Sequence, residues 1–254
     1  MTQSKVDIKE LTPKELVGFL GGMGKEKFRA GQILRWVYQR GATEFSAMTD
    51  LAKDFRADLE QRAFISDWQP EHTEQSQDGT KKYLFRLGDG ESIESVRIPM
   101  DGGRATLCIS SQVGCAMQCE FCLTGNFGLT RNLTAGEIVN QVCAAVKDGP
   151  INNIVFMGMG EPLLNYKNVL KSIEMITSEE GLGMSPRRIT LSTVGLHKMI
   201  IKLADDNVKF NLAVSLHSAI DEVRSKMMPI NDKSTLDDLL KSLQYWYAKT
   251  NKVI

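Results

Sequence analysis

Along the first 65 residues the apolar positions recur at helical spacing, broken by polar caps rather than by alternation. Thr12-Pro13-Lys14-Glu15 is a capping box with proline at the first helical position, and the apolar run LVGFL follows it. A second helix is predicted over KFRAGQILRWVYQR, halted by Gly41 as a left-handed cap. A third fits MTDLAKDFRADLEQRAF. From Lys81 the period drops to two: KKYLFRL and SIESVRIPM flank Gly88-Asp89-Gly90, which predicts a β-hairpin.

Strands and helices alternate after that. ATLCISS reads as a strand and leads into a cysteine-rich loop, and Thr134-Ala135-Gly136-Glu137 opens a helix with a second capping box. NNIVFMGMG has the continuous apolar character of a fully buried strand, and NVLKSIEMI follows with Val169, Ile173 and Ile176 on one helical stripe. RITLST and FNLAVSLH are two more strands, each followed by a helix, the last being TLDDLLKSLQYWYAK. This rhythm predicts an α/β fold with a parallel sheet and right-handed crossovers. The organisation expected is a helical domain at 1–65, a hairpin extension at 66–103 and a βα domain at 104–254. The closing NKVI reads as the first residues of another strand, so the pattern predicts an open sheet and a truncated chain.

Composition narrows the chemistry. The 254 residues are 42% hydrophobic and 24% charged, enough apolar material for a sizeable core. Lys+Arg and Asp+Glu are both 31, so there is no bulk attraction to nucleic acid or membrane, and any RNA contact must be a local patch. The candidate patch interleaves basic residues with aromatics: Lys25, Lys27, Phe28, Arg29, Arg35, Trp36, Tyr38 and Arg40, with Lys81-Lys82 and the weaker Arg187-Arg188 elsewhere. The same charges suit an ordinary solvated helix face. MTQSKVDIKELTPKE lacks a signal core, and no run approaches the ~18 apolar residues of a membrane span. A cytoplasmic, reducing compartment is expected, with no membrane partner. Clustered cysteines there point to metal or redox chemistry more than to structural disulfides.

Four of the five cysteines fall within CISSQVGCAMQCEFC, from Cys108 to Cys122. Cys115, Cys119 and Cys122 form C-x3-C-x2-C. Three thiolates at this spacing suit zinc, copper(I) or an iron–sulfur cluster. A structural zinc would need a fourth ligand, and His72, His197 and His217 lack the spacing to supply one. Three ligands suit a 4Fe–4S cluster with one iron left open, shielded by Phe121. Cys108, on the preceding strand, fits a small core hydrophobe as well as a functional thiol. Cys143, inside EIVNQVCAAV, reads as core. The glycines of GMGEP at 158 to 162 would let backbone approach a ligand closely, or make a plain strand-to-helix turn.

C-x3-C-x2-C with an aromatic before the last cysteine resembles the radical S-adenosylmethionine (SAM) superfamily. The longer match, RATLCISSQVGCAMQCEFC with MGMGEPLLN, LST-x-G and AVSLH, resembles one family within it across nearly the whole chain: the RlmN-type RNA methyltransferases. The resemblance implies a partial (βα) radical-SAM barrel acting on carbon 2 of adenine in large-subunit rRNA and some tRNAs. Cys115, Cys119 and Cys122 would hold the 4Fe–4S cluster, whose open iron chelates SAM. Gly160 and Glu161 would lie against SAM, with the carboxylate receiving its amino group, and Ser192, Ser215, Leu216 and His217 would contact it too.

Glu94 would be the base that removes the adenine proton, with Glu91 as the competing candidate. The implied chemistry begins when one electron cleaves SAM to a 5′-deoxyadenosyl radical. That radical takes hydrogen from a methyl group carried on a cysteine, and the resulting methylene adds to adenine. Cys108 would then release product by forming a disulfide with the carrier cysteine. The family's carrier lies beyond position 254, so the resemblance implies a chain that does not turn over alone. It further implies a monomer fed by an electron donor such as flavodoxin or ferredoxin. The MDGGR loop is slightly longer than the family pattern. Two rival readings remain: a radical-SAM enzyme acting on a small molecule or protein, and a cluster-bearing RNA-binding module without catalysis.

Overall fold

The computed structural model describes residues 5–254, which fold into two compact units. One holds everything described up to Gln69 together with 134–149 and 167–185; the other holds 70–133, 150–166 and 186–254. Among the described residues no helix is long and apolar enough to cross a membrane.

The first unit opens with β1 (Val6–Asp7), then α1 (Pro13–Gly21), α2 (Phe28–Leu34), α3 (Lys53–Arg62) and β2 (Ala63–Phe64), which pairs in parallel with β1. The predicted capping box forms: Thr12 Oγ1 accepts the Glu15 N–H at 3.2 Å, and Glu15 accepts the Thr12 N–H at 2.8 Å. α2 does not run straight to Gly41; it passes into a π-helical turn over Arg35–Gln39. α3 is shorter than the pattern suggested. Thr49-Asp50 sit in the loop before it, where the Asp50 carboxylate accepts the Trp36 indole N–H at 2.6 Å, a bond that competes with helical continuation. Leu16, Leu20, Ile33, Leu34, Phe55 and Leu59 close the core of these helices.

The second unit begins with β3 (His72–Gln75), β4 (Lys81–Arg86), β5 (Ser92–Met100) and β6 (Arg104–Cys108). The predicted hairpin is β4–β5, but β3 adds a fully exposed strand that period-two reading did not reveal. A small antiparallel ribbon, β7 (Gln112–Gly114) with β8 (Leu129–Asn132), brackets the cysteine loop and its short α4 (Leu123–Asn126). Then come α5 (Ala135–Ala145), β9 (Asn153–Phe156), α6 (Tyr166–Thr177), β10 (Ile189–Thr193), α7 (His197–Asp205), β11 (Asn211–Val214), α8 (Asp221–Met227) and α9 (Leu236–Thr250). α5 and nearly all of α6 belong to the first unit.

One seven-stranded sheet runs β11-β10-β9-β6-β5-β4-β3, parallel from β11 to β6 and antiparallel beyond. The sheet is open, a partial barrel continued by the hairpin. Its two faces differ. Leu107, Ile154 and Ile189 pair across β6, β9 and β10 and are wholly buried. The next row, Cys108, Val155, Thr190 and Asn211, faces the other way and is half-exposed. NNIVFMGMG is therefore not buried on both sides as expected: only Ile154 and Phe156 are, because polar Thr106, Asn153, Thr190 and Asn211 occupy the open face.

In the first unit, Thr134 caps α5, accepting the Glu137 N–H at 3.2 Å while Glu137 accepts the Thr134 N–H at 2.9 Å. Its hydroxyl donates to Glu10, whose carboxyl is pushed up by burial against the lowering pull of that bond. Thr134→Ala is expected to cost about 1–2 kcal/mol in urea unfolding, and Thr134→Ser less than half of that. Equal stability of the alanine variant would contradict the capping role.

Candidate active site

The cysteine loop is held by its own backbone. Cys115 N–H donates to the Gly128 carbonyl at 2.8 Å across the β7–β8 ribbon. Gly114, at φ 76°, lies so close that a Cβ there would sit 1.9 Å from the Gly128 oxygen, so no side chain fits. The loop then turns through Cys122 N–H to Cys119 carbonyl at 3.0 Å, and the Glu120 N–H reaches the Met227 carbonyl at 3.0 Å.

A second set of bonds ties the segment after β6 to the segment after β9. Ser111 N–H donates to the Met159 carbonyl at 2.8 Å, Ser110 Oγ accepts the Met159 N–H at 2.9 Å, and Gln112 Oε1 accepts the Glu161 N–H at 2.8 Å. Asn165 Nδ2 donates to the Ser111 and Leu133 carbonyls, both at 2.8 Å. The GMGEP glycines serve this packing. A Cβ on Gly158 would lie 2.8 Å from the Ile109 carbonyl, and one on Gly160, at φ 96°, would lie 2.5 Å from Gln112 Cβ. The close approach is to the chain's own residues 109–112.

These ties frame a cleft of about 270 Å³. Cys115, Cys119, Cys122 and Phe121 line one side, and Met157, Gly158, Gly160, Glu161, Ser192 and Ser215 are among the other residues that line it. Burial pushes Cys115, Cys119 and Glu161 upward. The Cys119 thiol rises to about 11, first through burial and then through Cys115 and Cys122 beside it. The Cys115 thiol also rises, chiefly by burial. Glu161 is 2% exposed; its carboxylate accepts the Leu163 N–H at 3.0 Å and the Val194 N–H at 2.9 Å, yet burial still raises it to about 7. A buried carboxylate beside two raised thiols is a site that gains from bound positive charge.

Comparison with known proteins decides the family. Residues 6–65 match the ribosomal RNA large subunit methyltransferase N-terminal domain, and residues 109–253 match the radical SAM superfamily. The chain is 57% identical over 251 residues to the dual-specificity RNA methyltransferase RlmN of Syntrophotalea carbinolica, spanning 99% of this chain and 67% of that one. It is 59% identical over 235 residues to the RlmN of Geobacter sulfurreducens, spanning 92% of this chain and 65% of that one. The crystal structure of a radical SAM methyltransferase from Sphaerobacter thermophilus superposes with a TM-score of 0.91 at 41% identity, over 97% of this chain and 74% of that one. The chain belongs to the radical SAM RNA methyltransferases of the RlmN family. It spans about two thirds of the length of the curated relatives.

Within that family frame the candidate residues fall in three places. Cys115, Cys119, Cys122, Gly160, Glu161, Ser192 and Ser215 line the cleft together. Leu216 and His217 stand beyond Ser215 without lining it; His217 takes a left-handed φ of 58° and its ring lies 4.1 Å from that of Phe121, which does line the cleft. Glu94 and Cys108 lie on the half-exposed sheet face. Val96 pairs with Cys108 and shares its side of β5 with Glu94, so the carboxylate and the thiol share one face. The Ser110 hydroxyl donates to the Glu94 carbonyl at 2.6 Å, and burial pushes the Cys108 thiol up. Glu94 pairs with Lys82 at 3.4 Å, and Lys82 with Glu74 at 3.1 Å. Glu91 lies outside β5, in the hairpin turn, where its carbonyl accepts the Leu87 N–H. Cys143 is half-buried on α5 in the first unit, and burial pushes its thiol up.

Three polar residues that hold the site escaped sequence reasoning. Ser110 and Gln112 were signalled only by polar letters immediately after a strand, and Arg224 by nothing, since charged residues are exposed by default. Gly114→Ala is expected to destabilise the second unit by more than about 2 kcal/mol and to lower iron uptake on reconstitution. In the metal-free chain Glu161 binds its proton more tightly folded than unfolded. It therefore favours folding at about pH 4.5 and below, and that contribution fades as pH rises through about 7. Glu161→Gln should flatten that part of the stability profile; an unchanged slope between pH 5 and 7 would contradict the assignment.

Proposed function

We propose that this radical SAM chain binds one 4Fe–4S cluster and SAM in the cleft and methylates carbon 2 of adenine in large-subunit rRNA and tRNA. It would work in the cytoplasm as a monomer, drawing electrons from a donor such as flavodoxin or ferredoxin. The observation that carries the reading is the cleft itself, where three thiols converge with the strand-end residues Gly160, Glu161, Ser192 and Ser215.

The donor set fits a cluster. Three cysteines line one cleft, and thiolates are the usual ligands of iron–sulfur clusters. Cys115, Cys119 and Cys122 would be the ligands. When bound, the cluster supplies the electron that cleaves SAM. Phe121, stacked on His217, would exclude water from the mouth. Glu161, buried and half-neutral near pH 7, would receive the amino group of SAM, and Ser192 and Ser215 would offer hydroxyls. Glu94 would take the adenine proton, its carboxylate pinned by Lys82. Cys108 would attack the carrier cysteine's sulfur, forming a disulfide as the bond from that sulfur to the methylene carbon on adenine breaks and its electron pair passes to the product.

Residues 6–65, the segment matching the family's N-terminal domain, would meet RNA. Its basic side chains rest on neighbouring aromatics: Lys25 over Phe55 at 4.8 Å, Arg29 over Phe28 at 4.7 Å and Arg40 over Trp36 at 4.2 Å. That array would offer charge and ring faces together. Lys82, by contrast, is already engaged by Glu74 and Glu94.

Anaerobically reconstituted protein with dithionite is expected to convert SAM to 5′-deoxyadenosine and methionine. Cys119→Ala should abolish this and Cys143→Ala should not. Glu94→Gln should leave SAM cleavage intact while slowing adenine methylation in a methylation-competent enzyme about 10²–10⁴-fold. Failure of the unsubstituted protein to cleave SAM would overturn the reading.

A further inference from the structure

Arg224 is wholly buried on α8 and makes no ion pair within salt-bridge distance among the described residues. A buried guanidinium is costly unless its N–H groups are bonded. Its bonds run to backbone. Nε donates to the Leu216 carbonyl at 3.2 Å, and Nη2 to the Val194 carbonyl at 2.6 Å and the Ser215 carbonyl at 3.5 Å. Nη1 donates to Asn231 Oδ1 at 2.5 Å, and Asn231 in turn donates to Asp221 Oδ1 at 2.8 Å. One side chain thus joins the segment after β10 to the segment after β11, the two that bring Val194 and Ser215 into the cleft.

The peptide plane gives these bonds a consequence. In a trans peptide the N–H of one residue points opposite the C=O of the residue before it. With the Ser215 and Leu216 carbonyls turned to the guanidinium, the N–H groups of Leu216 and His217 point away from it. Neither N–H has an acceptor among the described residues. His217 sits at φ 58°, a left-handed conformation that non-glycine residues rarely hold without support. The Ser218 N–H closes a tight turn on the Leu216 carbonyl at 2.7 Å, leaving the two consecutive N–H groups before it, of Leu216 and His217, as a donor pair suited to an oxygen atom.

We propose that Arg224 is the positioning residue of the cofactor site: by gathering the Val194, Ser215 and Leu216 carbonyls it aims the Leu216 and His217 N–H groups at an oxygen of SAM. The proposal rests on the SAM reading above and adds to it a residue outside the cleft lining. It accounts for a buried charge that has no catalytic atom to touch.

Arg224→Met and Arg224→Lys test it in reconstituted full chain, with iron content and thermal unfolding as controls. In the ligand-free protein, Arg224→Met should speed hydrogen exchange of the peptide covering 211–220, since the loop loses its anchor. It should weaken SAM binding by equilibrium dialysis at least about tenfold, the loss expected when bonds to a charged donor vanish. It should also diminish the change that SAM causes in the electron paramagnetic resonance signal of the reduced cluster, which a merely structural arginine would leave alone. Lysine, a point donor that cannot span three carbonyls, should recover only part of each effect and decides the matter if the methionine variant does not fold. Unchanged exchange in the ligand-free variants, or wild-type SAM affinity in either variant, overturns the proposal. If unsubstituted protein binds no SAM, the cofactor reading fails instead, and exchange alone judges whether Arg224 anchors the loop.

Discussion

The Glu161 carboxylate, buried between the ends of β9 and β10, accepts the N–H groups of Leu163 and Val194, while the Glu161 N–H is held by Gln112. Three segments that carry the cleft meet at this one residue: the stretch before the cysteine loop, the turn after β9 and the turn after β10. Burial raises the carboxyl to about 7. Ser110, Ser111 and Asn165 add further bonds among the same segments. The cost is consistent with a site completed by positive charge.

The sheet separates stability from chemistry. Leu107, Ile154, Ile189, Leu191 and Leu212 make a closed apolar face. The opposite face trades burial for polarity with Thr106, Cys108, Asn153, Thr190 and Ser192, each only half-buried. Fully burying such positions with apolar side chains would stabilise the fold by about 1.5–3 kcal/mol apiece, a gain this face forgoes. Glu94 and Cys108 belong to this open face, so the base and the resolving thiol proposed for them share one surface next to the cleft.

Much of this was legible in the order of residues. Both capping boxes announced themselves, because a threonine three residues before a glutamate satisfies two donors at once. The hairpin showed through alternation and Gly88-Asp89-Gly90, and the C-x3-C-x2-C loop through thiol spacing. What stayed hidden depended on tertiary contact. β3 is exposed at every position and has no apolar period, so only pairing with β4 makes it a strand. Val155 looked buried because the sequence does not say that one face stays open. Gly158 and Gly160 read as allowing either close ligand approach or a plain turn; they line the cleft, and the fold adds that residues 109–112 of the same chain leave them no room for side chains. Arg224 carried no signal at all, since its role follows from three carbonyls that only the fold assembles.

The central claim is that Cys115, Cys119 and Cys122 hold a cubane whose fourth iron takes SAM. Mössbauer spectroscopy of protein reconstituted anaerobically with ⁵⁷Fe addresses it most directly. The account predicts about four irons per chain in a [4Fe–4S] spectrum, with one iron site changing its parameters when SAM is added. A spectrum that SAM leaves untouched, or protein that retains no iron, would contradict it.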